Sequence, residues 1–422
     1  MSDDGTKETG FHPGRSKQTA VTSPIDADVE TVAAPKSRHP LTTVTIAVAS
    51  FLGYVALLPA VVWYGAYLVL GDERWWMFVV NSVAHFLFVP VAVVLVAAVV
   101  FRRRGLLLAS LVPTVIALFL FGSLFVPVPL RAWWAGVTGD GSTMSEPVAD
   151  APSTTKESAT STEAEDALAR VAAGTSDRGR LTAMTFNLHG ENRNAEGVMA
   201  AILEADADVV ALQEVGQAIG TQLRERLAEA YPHTTFTFRS GWGGLAVFSR
   251  YPITPGSGWL EPISRGNPQA LILRTPFGDV DLVNLHNPSL PRDPSDWPVD
   301  IPIAVAEREA VSRSIAEFAR ASNRPLLVMG DFNTTERSAA YDILTGALRD
   351  AWREAGFGLG STFPGGPRSP TPYDLRLPWW LIRIDYVFHS DAFEATGARI
   401  GQWDGQSDHR PVVAVLAWRG GE

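Results

Sequence analysis

The chain has 422 residues, no cysteine and a formal net charge of −10 at pH 7. The lack of cysteine excludes disulfides, cysteine metal ligands, a cysteine nucleophile and any partner linked through cysteine. The acidic balance disfavours a nucleic-acid binder that relies on a basic surface. A chain of this length is expected to form two or three structural units.

The first part of the chain is predicted to hold a disordered cytoplasmic tail and a membrane anchor. Residues 1–40 are rich in Ser, Thr, Asp, Pro and Lys and show no apolar periodicity, which is typical of disorder. Three apolar segments without Asp, Glu, Lys or Arg follow, at about Val44–Leu70, Trp75–Phe101 and Leu106–Val126. Each exceeds the roughly 20 residues needed to cross about 30 Å of hydrocarbon. We therefore expect residues 41–134 to form three transmembrane helices, with kinks near Pro59, Pro90 and Pro113.

The basic residues that flank these segments predict an orientation. One side carries Lys36, Arg38 and Arg102-Arg103-Arg104, whereas Arg74 and Arg131 flank the other. By the positive-inside rule, the tail and the triple-arginine loop are cytoplasmic. Three crossings then place everything after Val126 outside, which predicts a multi-pass protein of the cell membrane with an extracytoplasmic C-terminal domain.

Two polar residues lie within the second segment. Asn81 and His85 are four positions apart and would share one face of a continuous helix. An intramembrane histidine marks a functional site by default, but polar residues in membrane helices also form hydrogen bonds between helices. We favour the second interpretation for this pair.

A flexible linker is predicted for residues 135–180, which are dominated by Ser, Thr, Ala, Gly and acidic residues. Over residues 181–420, short apolar strands alternate with helices and with Gly and Pro turns, which indicates an α/β layered sandwich. The predicted strands are Leu181–Asn187, Val209–Glu214, Leu245–Ser249, Ala270–Arg274, Asp281–His286, Pro325–Met329, Ile384–Phe388 and Val412–Ala417. The predicted helices include Ala195–Ala205, Gly220–Ala230 and Ile303–Ala321.

Polar residues lie at the ends of several predicted strands. The clearest case is the run Leu326–Met329, which is followed by Gly330, Asp331 and, two positions on, Asn333. Strand alternation predicts that the last two side chains share a face, although the stretch by itself is equally typical of a turn. The other polar residues at strand ends are Asn187, Glu214, His286, Asp385, Asp408 and His409.

This ordered set resembles that of the endonuclease/exonuclease/phosphatase superfamily, which has the deoxyribonuclease I-like fold. The stretches Gly244–Arg250 and Arg383–Val387 are also similar to that family, and the resemblance covers about Leu181–Leu416. It implies a four-layer α/β sandwich and a metal-dependent phosphoesterase that forms no covalent enzyme intermediate.

Phosphoester hydrolysis needs a cation at the phosphate, an activated water and help for the leaving oxygen. Glu214 offers a hard carboxylate for Mg²⁺, or for Mn²⁺ or Ca²⁺, with Asn187 and Asp408 as further metal ligands. Asp331 and Asn333 are predicted to orient the attacking water and the developing phosphorane oxygens.

Two histidines complete the predicted site. His409 is expected to act as general base or to stabilise the phosphorane, and an aspartate partner would fix its tautomer. The resemblance implies that this partner is Asp385 and not the sequence neighbour Asp408. His286 is expected to bind phosphate or to assist the leaving oxygen.

The family cleaves several classes of phosphoester, so the fold does not select the substrate. Residues 181–422 contain no Lys, 21 Arg and 29 Asp or Glu, a net charge of −8, which disfavours nucleic acid as the partner. Anchoring to the lipid bilayer favours a lipid-linked phosphate or pyrophosphate of the cell envelope. The anchor with its outer domain is also similar to the membrane-bound teicoplanin-resistance proteins of actinomycetes, which implies action on the undecaprenyl-pyrophosphate carrier.

Two alternative functions stay open. One is an extracytoplasmic nuclease, and the other is a catalytically inactive membrane sensor, which the complete polar set disfavours.

The pair Trp379-Trp380 precedes the predicted strand of Asp385 and fits either a membrane-facing lip or a buried core.

Overall fold

The computed structural model describes residues 40–127, 130, 179–238, 243–256, 268–291, 293–366 and 381–419. The chain divides into two compact units, Met1–Ala49 and Ser50–Glu422, and the first is described only from Pro40, where a helix begins. The predicted tail, nearly all of the predicted linker and the pair Trp379-Trp380 lie outside the described residues, so those interpretations stay predictions.

The described residues before the linker form four apolar helices: α1 (Pro40–Leu70), α2 (Trp75–Ser82), α3 (Val89–Val100) and α4 (Arg104–Phe121). Short 3₁₀ turns at Ala84–Phe88 and Gly122–Phe125 adjoin α3 and α4. By length and composition, Val44–Leu70 and Arg104–Phe125 can each cross a membrane. A third crossing requires α2 and Ala84–Val100 to count as one span, and these two stretches meet at 64°.

The bend in the second segment lies at Val83 and not at its proline. Val83 leaves helical geometry, with φ −114° and ψ 15°. Pro90 occupies the first turn of α3, where its missing N–H costs no intrahelical bond. Asn81 and His85 therefore do not share a helical face, contrary to the prediction. Asn81 does link two helices, because its Oδ1 accepts the indole N–H of Trp63 at 2.9 Å.

Twelve strands are described after the linker. They are β1 (Arg180–Asn187), β2 (Val209–Val215), β3 (His233–Thr237), β4 (Gly244–Ser249), β5 (Ile253–Pro255), β6 (Gln269–Thr275), β7 (Gly278–His286), β8 (Leu326–Asp331), β9 (Arg349–Asp350), β10 (Asp385–His389), β11 (Phe393–Ile400) and β12 (Val412–Trp418). One six-stranded sheet has the order β11-β12-β1-β2-β4-β3 and the other β5-β6-β7-β8-β10-β9. All eight inner strands were predicted, whereas the four edge strands were not, because their half-exposed residues lack a continuous apolar run.

Helices cover the outer face of each sheet. On the first sheet, α5 (Ala195–Ala205) and α6 (Gln217–Arg226) pack over the strands. On the second, α7 (Trp297–Ala321) and α8 (Ala339–Thr345) do so, and the short α9 (Ala351–Ala355) packs beside β11. Apolar side chains of both sheets are buried between them. This helix–sheet–sheet–helix order is the four-layer α/β sandwich that the sequence predicted.

Strand register in the second sheet brings three predicted site residues into one row. His286 of β7 pairs with Asp331 of the parallel β8, and Asp331 pairs with Asp385 of the antiparallel β10. The backbones approach closely at this point. A Cβ on Gly330 would lie 2.1 Å from the carbonyl oxygen of Leu285, so only glycine fits next to the row.

One end of the helix bundle packs against the sandwich, a contact that the sequence did not predict. We call it the docking end, and it comprises residues 71–85 and 120–125. Asp72 accepts the backbone N–H of Ala339, in the first turn of α8, at 3.2 Å. Asn81 donates from Nδ2 to the carbonyl oxygen of Arg337 at 3.3 Å. The apolar helices therefore contact the sandwich directly.

Candidate active site

The row of His286, Asp331 and Asp385 lies at the ends of three strands, and its two aspartates are closed to solvent. Asp331 and Asp385 are 1% and 0% exposed. His286 Nε2 lies 3.7 Å from Asp331 Oδ2 and has no hydrogen-bond partner among the described residues. A buried polar atom left in this way is expected to have a ligand or water as its partner.

His409 lies on the loop before β12 and pairs with the third member of the row. Its Nδ1 lies 2.8 Å from Asp385 Oδ2, while Nε2 is 3.7 Å from Asp331 Oδ2 and 3.9 Å from Asp408 Oδ1. Asp385, and not Asp408, thus occupies the position that fixes the tautomer. Burial opposes a charge on His409, but the carboxylates of Asp385 and Asp331 outweigh burial and raise its pKa well above the usual value. The imidazole is therefore held protonated at neutral pH.

Asp331 is oriented by two asparagine side chains. Its Oδ2 accepts Asn187 Nδ2 at 2.9 Å and Asn333 Nδ2 at 3.0 Å, and its Oδ1 accepts the backbone N–H of Asn333 at 2.9 Å. The alternation argument for Asn333 is wrong, because β8 ends at Asp331 and Asn333 adopts a left-handed φ of +50°. A turn, not a shared strand face, brings these two side chains together. Burial raises the pKa of the Asp331 carboxyl.

Glu214 comes from the first sheet, at a bulge in the pairing of β2 with β4. Its φ is +52°, a conformation that costs a non-glycine residue free energy and is concentrated at functional sites. The carboxylate accepts the N–H of Gly190 at 2.9 Å and Asn187 Nδ2 at 3.1 Å, and it lies 3.5 Å from His286 Nε2. Burial opposes its ionisation, but His286 and these hydrogen bonds outweigh burial and lower the pKa of Glu214.

Asp408 directly precedes His409 on the loop before β12, and its carboxylate lies at the same site. Its Oδ1 is buried and has no hydrogen-bond partner among the described residues. Burial raises the pKa of its carboxyl, although His409 and His189 oppose the rise. All eight residues proposed from the sequence therefore converge on one place: Asn187, Glu214, His286, Asp331, Asn333, Asp385, Asp408 and His409.

Comparison with known proteins identifies the part of the chain that carries this site. Residues 184–409, more than half of the chain, match the endonuclease/exonuclease/phosphatase family. The chain belongs to this family. Members of the endonuclease/exonuclease/phosphatase family are metal-dependent phosphoester hydrolases.

Several solved structures are similar to the sandwich. An endonuclease/exonuclease/phosphatase from Beutenbergia cavernae DSM 12333 is 22% identical with a TM-score of 0.41, over 58% of this chain and 72% of that one. Sphingomyelinase C from Streptomyces griseocarneus is 23% identical with a TM-score of 0.39, over 56% of this chain and 99% of that one. TDP2 from C. elegans is 15% identical with a TM-score of 0.43, over 61% of this chain and 82% of that one. No curated protein matched the sequence.

The site fits the divalent cation on which the endonuclease/exonuclease/phosphatase family depends. Glu214 and the orphaned Oδ1 of Asp408 offer the hard oxygen ligands that Mg²⁺ and Ca²⁺ prefer. Asp331, Asp385 and His409 also bring ligand atoms within 4.8 Å of one another. However, N–H donors already surround the Asp331 carboxylate, and His409 Nδ1 is committed to Asp385. The Glu214 and Asp408 side is therefore the better cation site, and the identity of the ion stays a prediction.

The structure gives Asn187 a second role besides that of a metal ligand. Its Nδ2 donates to both Glu214 and Asp331, and its Oδ1 accepts the backbone N–H of His189 at 2.9 Å. One amide thus joins the carboxylate from the first sheet to the carboxylate from the second. Its direct contact with a cation stays a prediction.

Two supporting residues were missed by the sequence reasoning. Ser407 Oγ donates to the carbonyl oxygen of Asn187 at 2.6 Å and accepts the N–H of His409 at 2.9 Å, so it ties the histidine loop to β1. Its place directly before Asp408 was an available signal. Thr362 Oγ1 accepts the N–H of Ile384 at 3.1 Å, next to Asp385. Nothing in the sequence points to Thr362, because this contact forms only in the folded chain.

Proposed function

We propose that this protein is a membrane-anchored phosphoesterase whose catalytic domain lies outside the cytoplasm and acts on a lipid-linked phosphate or pyrophosphate of the cell envelope. The observation that carries the proposal is the packing of the sandwich on the docking end of the anchor. An active site held directly on its anchor meets the headgroups of its own bilayer at high effective concentration.

The position of the arginine cluster supports the outer location. Arg102 and Arg103 lie between α3 and α4, and Arg104 begins α4, at the end of these helices away from the docking end. Lys and Arg are enriched in cytoplasmic loops, so a cytoplasmic arginine loop leaves the docking end and the sandwich on the outer side.

Charge supports a lipid rather than a nucleic acid as the source of the phosphate. Proteins that bind nucleic acid neutralise several phosphates with basic side chains. The region from residue 181 to 422 has a net charge of −8 and no lysine. The charge of a single headgroup phosphate or pyrophosphate can be neutralised by the few hydrogen-bond donors and the cation of one site.

In the proposed reaction, Asp331 holds the attacking water and takes its proton. Burial raises the pKa of this carboxyl, which makes it a better base, and Asn187 and Asn333 fix its direction. His409 donates a hydrogen bond from Nε2–H to a phosphoryl oxygen and stabilises the phosphorane, while Asp385 keeps the imidazole charged. Of the two roles expected for His409, its raised pKa favours the stabiliser over the base.

The remaining residues act on the phosphate and the leaving group. His286, with its unpaired buried Nε2, contacts the phosphate and supplies a proton to the leaving oxygen. Glu214 and Asp408 would hold the divalent cation. When bound, that cation supplies positive charge that offsets the charge of the phosphate.

Hydrolysis of a substrate panel tests the proposal, with a separate readout for each substrate: phosphate from the pyrophosphate, the cleaved headgroup from a phosphodiester and nicked DNA from the plasmid. The purified full-length chain in lipid nanodiscs with Mg²⁺ is given a polyprenyl pyrophosphate, phospholipid phosphodiesters and plasmid DNA, with His409→Ala as the inactive control. We expect the highest kcat/KM on the polyprenyl pyrophosphate. Cleavage of plasmid alone would establish the nuclease instead, and hydrolysis of no substrate would favour the sensor.

A reporter fused after Glu422 tests the topology separately. We expect activity from a reporter that works only outside the cytoplasm. Activity from a reporter that works only in the cytoplasm would contradict the outer location and, with it, the cell-envelope substrate.

A further inference from the structure

Arg308 of α7 carries a buried positive charge. Its side chain is 1% exposed, and within the described ranges it has no ion pair. Burial lowers its pKa to about 10, so the guanidinium stays charged at neutral pH. Burying an unpaired charge is costly, and an apolar residue of similar volume is often neutral or stabilising at such a position. Arg308 therefore calls for an explanation other than packing.

The guanidinium contacts the loop that follows the first residue of the catalytic row. Nε and Nη2 both donate to the carbonyl oxygen of Pro288, at 2.9 and 2.7 Å. Pro288 comes two residues after His286, at the end of β7. Two N–H groups converging on one carbonyl fix the direction of that peptide more firmly than a single bond would.

The same loop also holds the other side of the site. The N–H of Asn287 donates to the carbonyl oxygen of Asp331 at 2.9 Å, and the carbonyl oxygen of Asn287 accepts Asn333 Nδ2 at 2.9 Å. Asn287 therefore lies between the peptide that Arg308 holds and the turn that carries Asn333. A shift of Pro288 would move both His286 and Asn333.

The anchor supplies the other contact of Arg308. The guanidinium carbon lies 5.0 Å from the centroid of the Phe78 ring in α2. Phe78 is 3% exposed and packs with Ile301 and Val305 on α7. A desolvated cation over an aromatic face is attracted more strongly than an exposed one. The ring thus adds to the stabilisation of the buried charge, to which the carboxylates of Asp331 and Asp72 contribute without forming an ion pair with it.

We propose that Arg308 is a positioning residue through which the docked helix α2 sets the place of His286 and Asn333 at the substrate phosphate. This inference rests on the proposed function and adds to it, because the anchor then takes part in building the active site. Removal of the Phe78 ring or of the guanidinium should loosen the Asn287–Pro288 loop without unfolding the protein.

Five variants of the full-length chain in nanodiscs test the proposal. Arg308→Met and Phe78→Leu break the link while keeping apolar volume. Arg313→Met and Phe119→Leu are the matched controls, since Arg313 is 52% exposed on α7 and Phe119 is 63% exposed on α4. Arg308→Lys keeps the charge but not the planar fork that donates twice to one carbonyl, so it should restore part of the activity that Arg308→Met loses.

Kinetics and hydrogen exchange give two separate results. A misplacement of about 1 Å can cost about 10²-fold in rate, so we expect Arg308→Met to lower kcat about 10- to 100-fold. Phe78→Leu should lower kcat by a smaller factor. In both variants KM should stay within about twofold of wild type, and the unfolding midpoint within a few degrees of wild type. Exchange should rise in peptides that cover Asn287 and Asn333, in both variants and in neither control.

Each outcome decides a defined point. Unchanged exchange at the loop in both variants would overturn the link, and raised exchange with unchanged kcat would overturn its role in catalysis. If the wild-type chain hydrolyses no phosphoester, the proposed function fails, and the exchange data still decide whether α2 and Arg308 hold the loop.

Discussion

Two buried clusters of charged side chains in this molecule have excess charge of opposite sign. The site cluster has four carboxylates and two imidazoles: Glu214, Asp331, Asp385, Asp408, His286 and His409. The junction cluster, beside the docking end, has two carboxylates and three guanidinium groups: Glu336, Asp350, Arg337, Arg353 and Arg383. Carboxylates are thus in excess at the site, and cations are in excess at the junction.

The junction cluster pairs its own charges. Glu336 pairs with Arg353 and Arg383, and Asp350 accepts Arg383 Nη2 at 2.7 Å. Arg353 also donates to Ser123 Oγ at 3.0 Å, which ties the cluster to the docking end of the anchor. Both carboxylates of the junction cluster are therefore in ion pairs, although Nε of Arg337 and Nε of Arg383 are buried without hydrogen-bond partners among the described residues.

In the site cluster, by contrast, the four carboxylates outnumber the two imidazoles that lie within pairing distance of them. Asp408 Oδ1, Asp385 Oδ1 and His286 Nε2 are buried without hydrogen-bond partners among the described residues. A cation and a phosphate would complete it. The comparison therefore predicts that changes at the site remove activity and leave the fold, whereas changes at the junction weaken the fold and leave the chemistry.

The largest expected loss follows from breaking the pair of His409 and Asp385. Loss of one donor that stabilises the charge of the transition state typically costs about 10²–10³-fold, so His409→Ala and Asp385→Ala should each lower kcat in that range. Residues that act as one unit are non-additive, and the double variant should be little worse than His409→Ala. His233→Ala, on the edge strand β3, is the control. If the two losses multiply, the pairing does not operate in catalysis.

Removal of the proposed metal ligand comes next. Glu214→Gln keeps the size of the side chain but removes its charge. Loss of a residue that only supports a metal ligand typically costs about 10- to 100-fold, and we expect loss of Glu214, a direct ligand, to lower kcat by more than that. The Mg²⁺ concentration for half-maximal activity should rise, as measured by titration. An unchanged Mg²⁺ requirement, or a loss of stability that accounts for the lost activity, would show that Glu214 is structural.

At the junction, Glu336→Gln should act on stability and not on kcat. Burial alone would raise the pKa of Glu336, but Arg353, Arg383 and Arg337 outweigh burial and lower it from 4.5 to about 2. A carboxyl whose pKa is lower in the folded state stabilises the fold above its unfolded pKa, and this stabilisation is lost as pH falls through the folded pKa. The difference corresponds to on the order of 3 kcal/mol at pH 7.

Denaturant unfolding of wild type and Glu336→Gln at several pH values measures this effect. The difference in unfolding free energy should be largest at pH 7 and shrink between about pH 5 and pH 2. Glu196→Gln, whose side chain is 69% exposed, should change stability by less than about 0.5 kcal/mol at every pH. A difference that does not vary with pH would contradict the ion-pair account.

The smallest effect concerns His286 and depends on the substrate. A good leaving group needs no proton, so His286→Ala should lose less activity on a nitrophenyl phosphate ester than on a lipid phosphate. We expect the two losses to differ by about 10²-fold, the lower end of what a general acid contributes. Equal losses on both substrates would assign His286 to phosphate binding alone.

The sequence predicted what depends on local pattern. The eight inner strands have apolar runs, and their polar ends marked Asp331, Asp385 and His286 before any contact was known. It also predicted the pairing partner of His409 through family resemblance, which residue spacing alone does not reveal. The contacts that hold the site, such as Thr362 to Ile384, join positions with no common pattern and were not predictable.

The docking of the anchor shows a second limit. α2 has the composition of a membrane helix, and no glycine or proline lies at the break at Val83. The apolar pattern of this segment does not reveal that Phe78 is buried against Ile301 and Val305 of the sandwich. Composition predicts that a segment is apolar, but the surface that covers it is set by the rest of the fold.

The most direct test of the account compares one lipid substrate in two settings. The full-length chain is reconstituted into vesicles, and phosphate release is measured with polyprenyl pyrophosphate either in the same vesicles or in separate ones. A catalytic domain docked on its own anchor predicts hydrolysis when protein and substrate share a bilayer and little when they do not. Equal rates in the two settings, or hydrolysis of plasmid DNA at a higher kcat/KM than the lipid, would contradict the account.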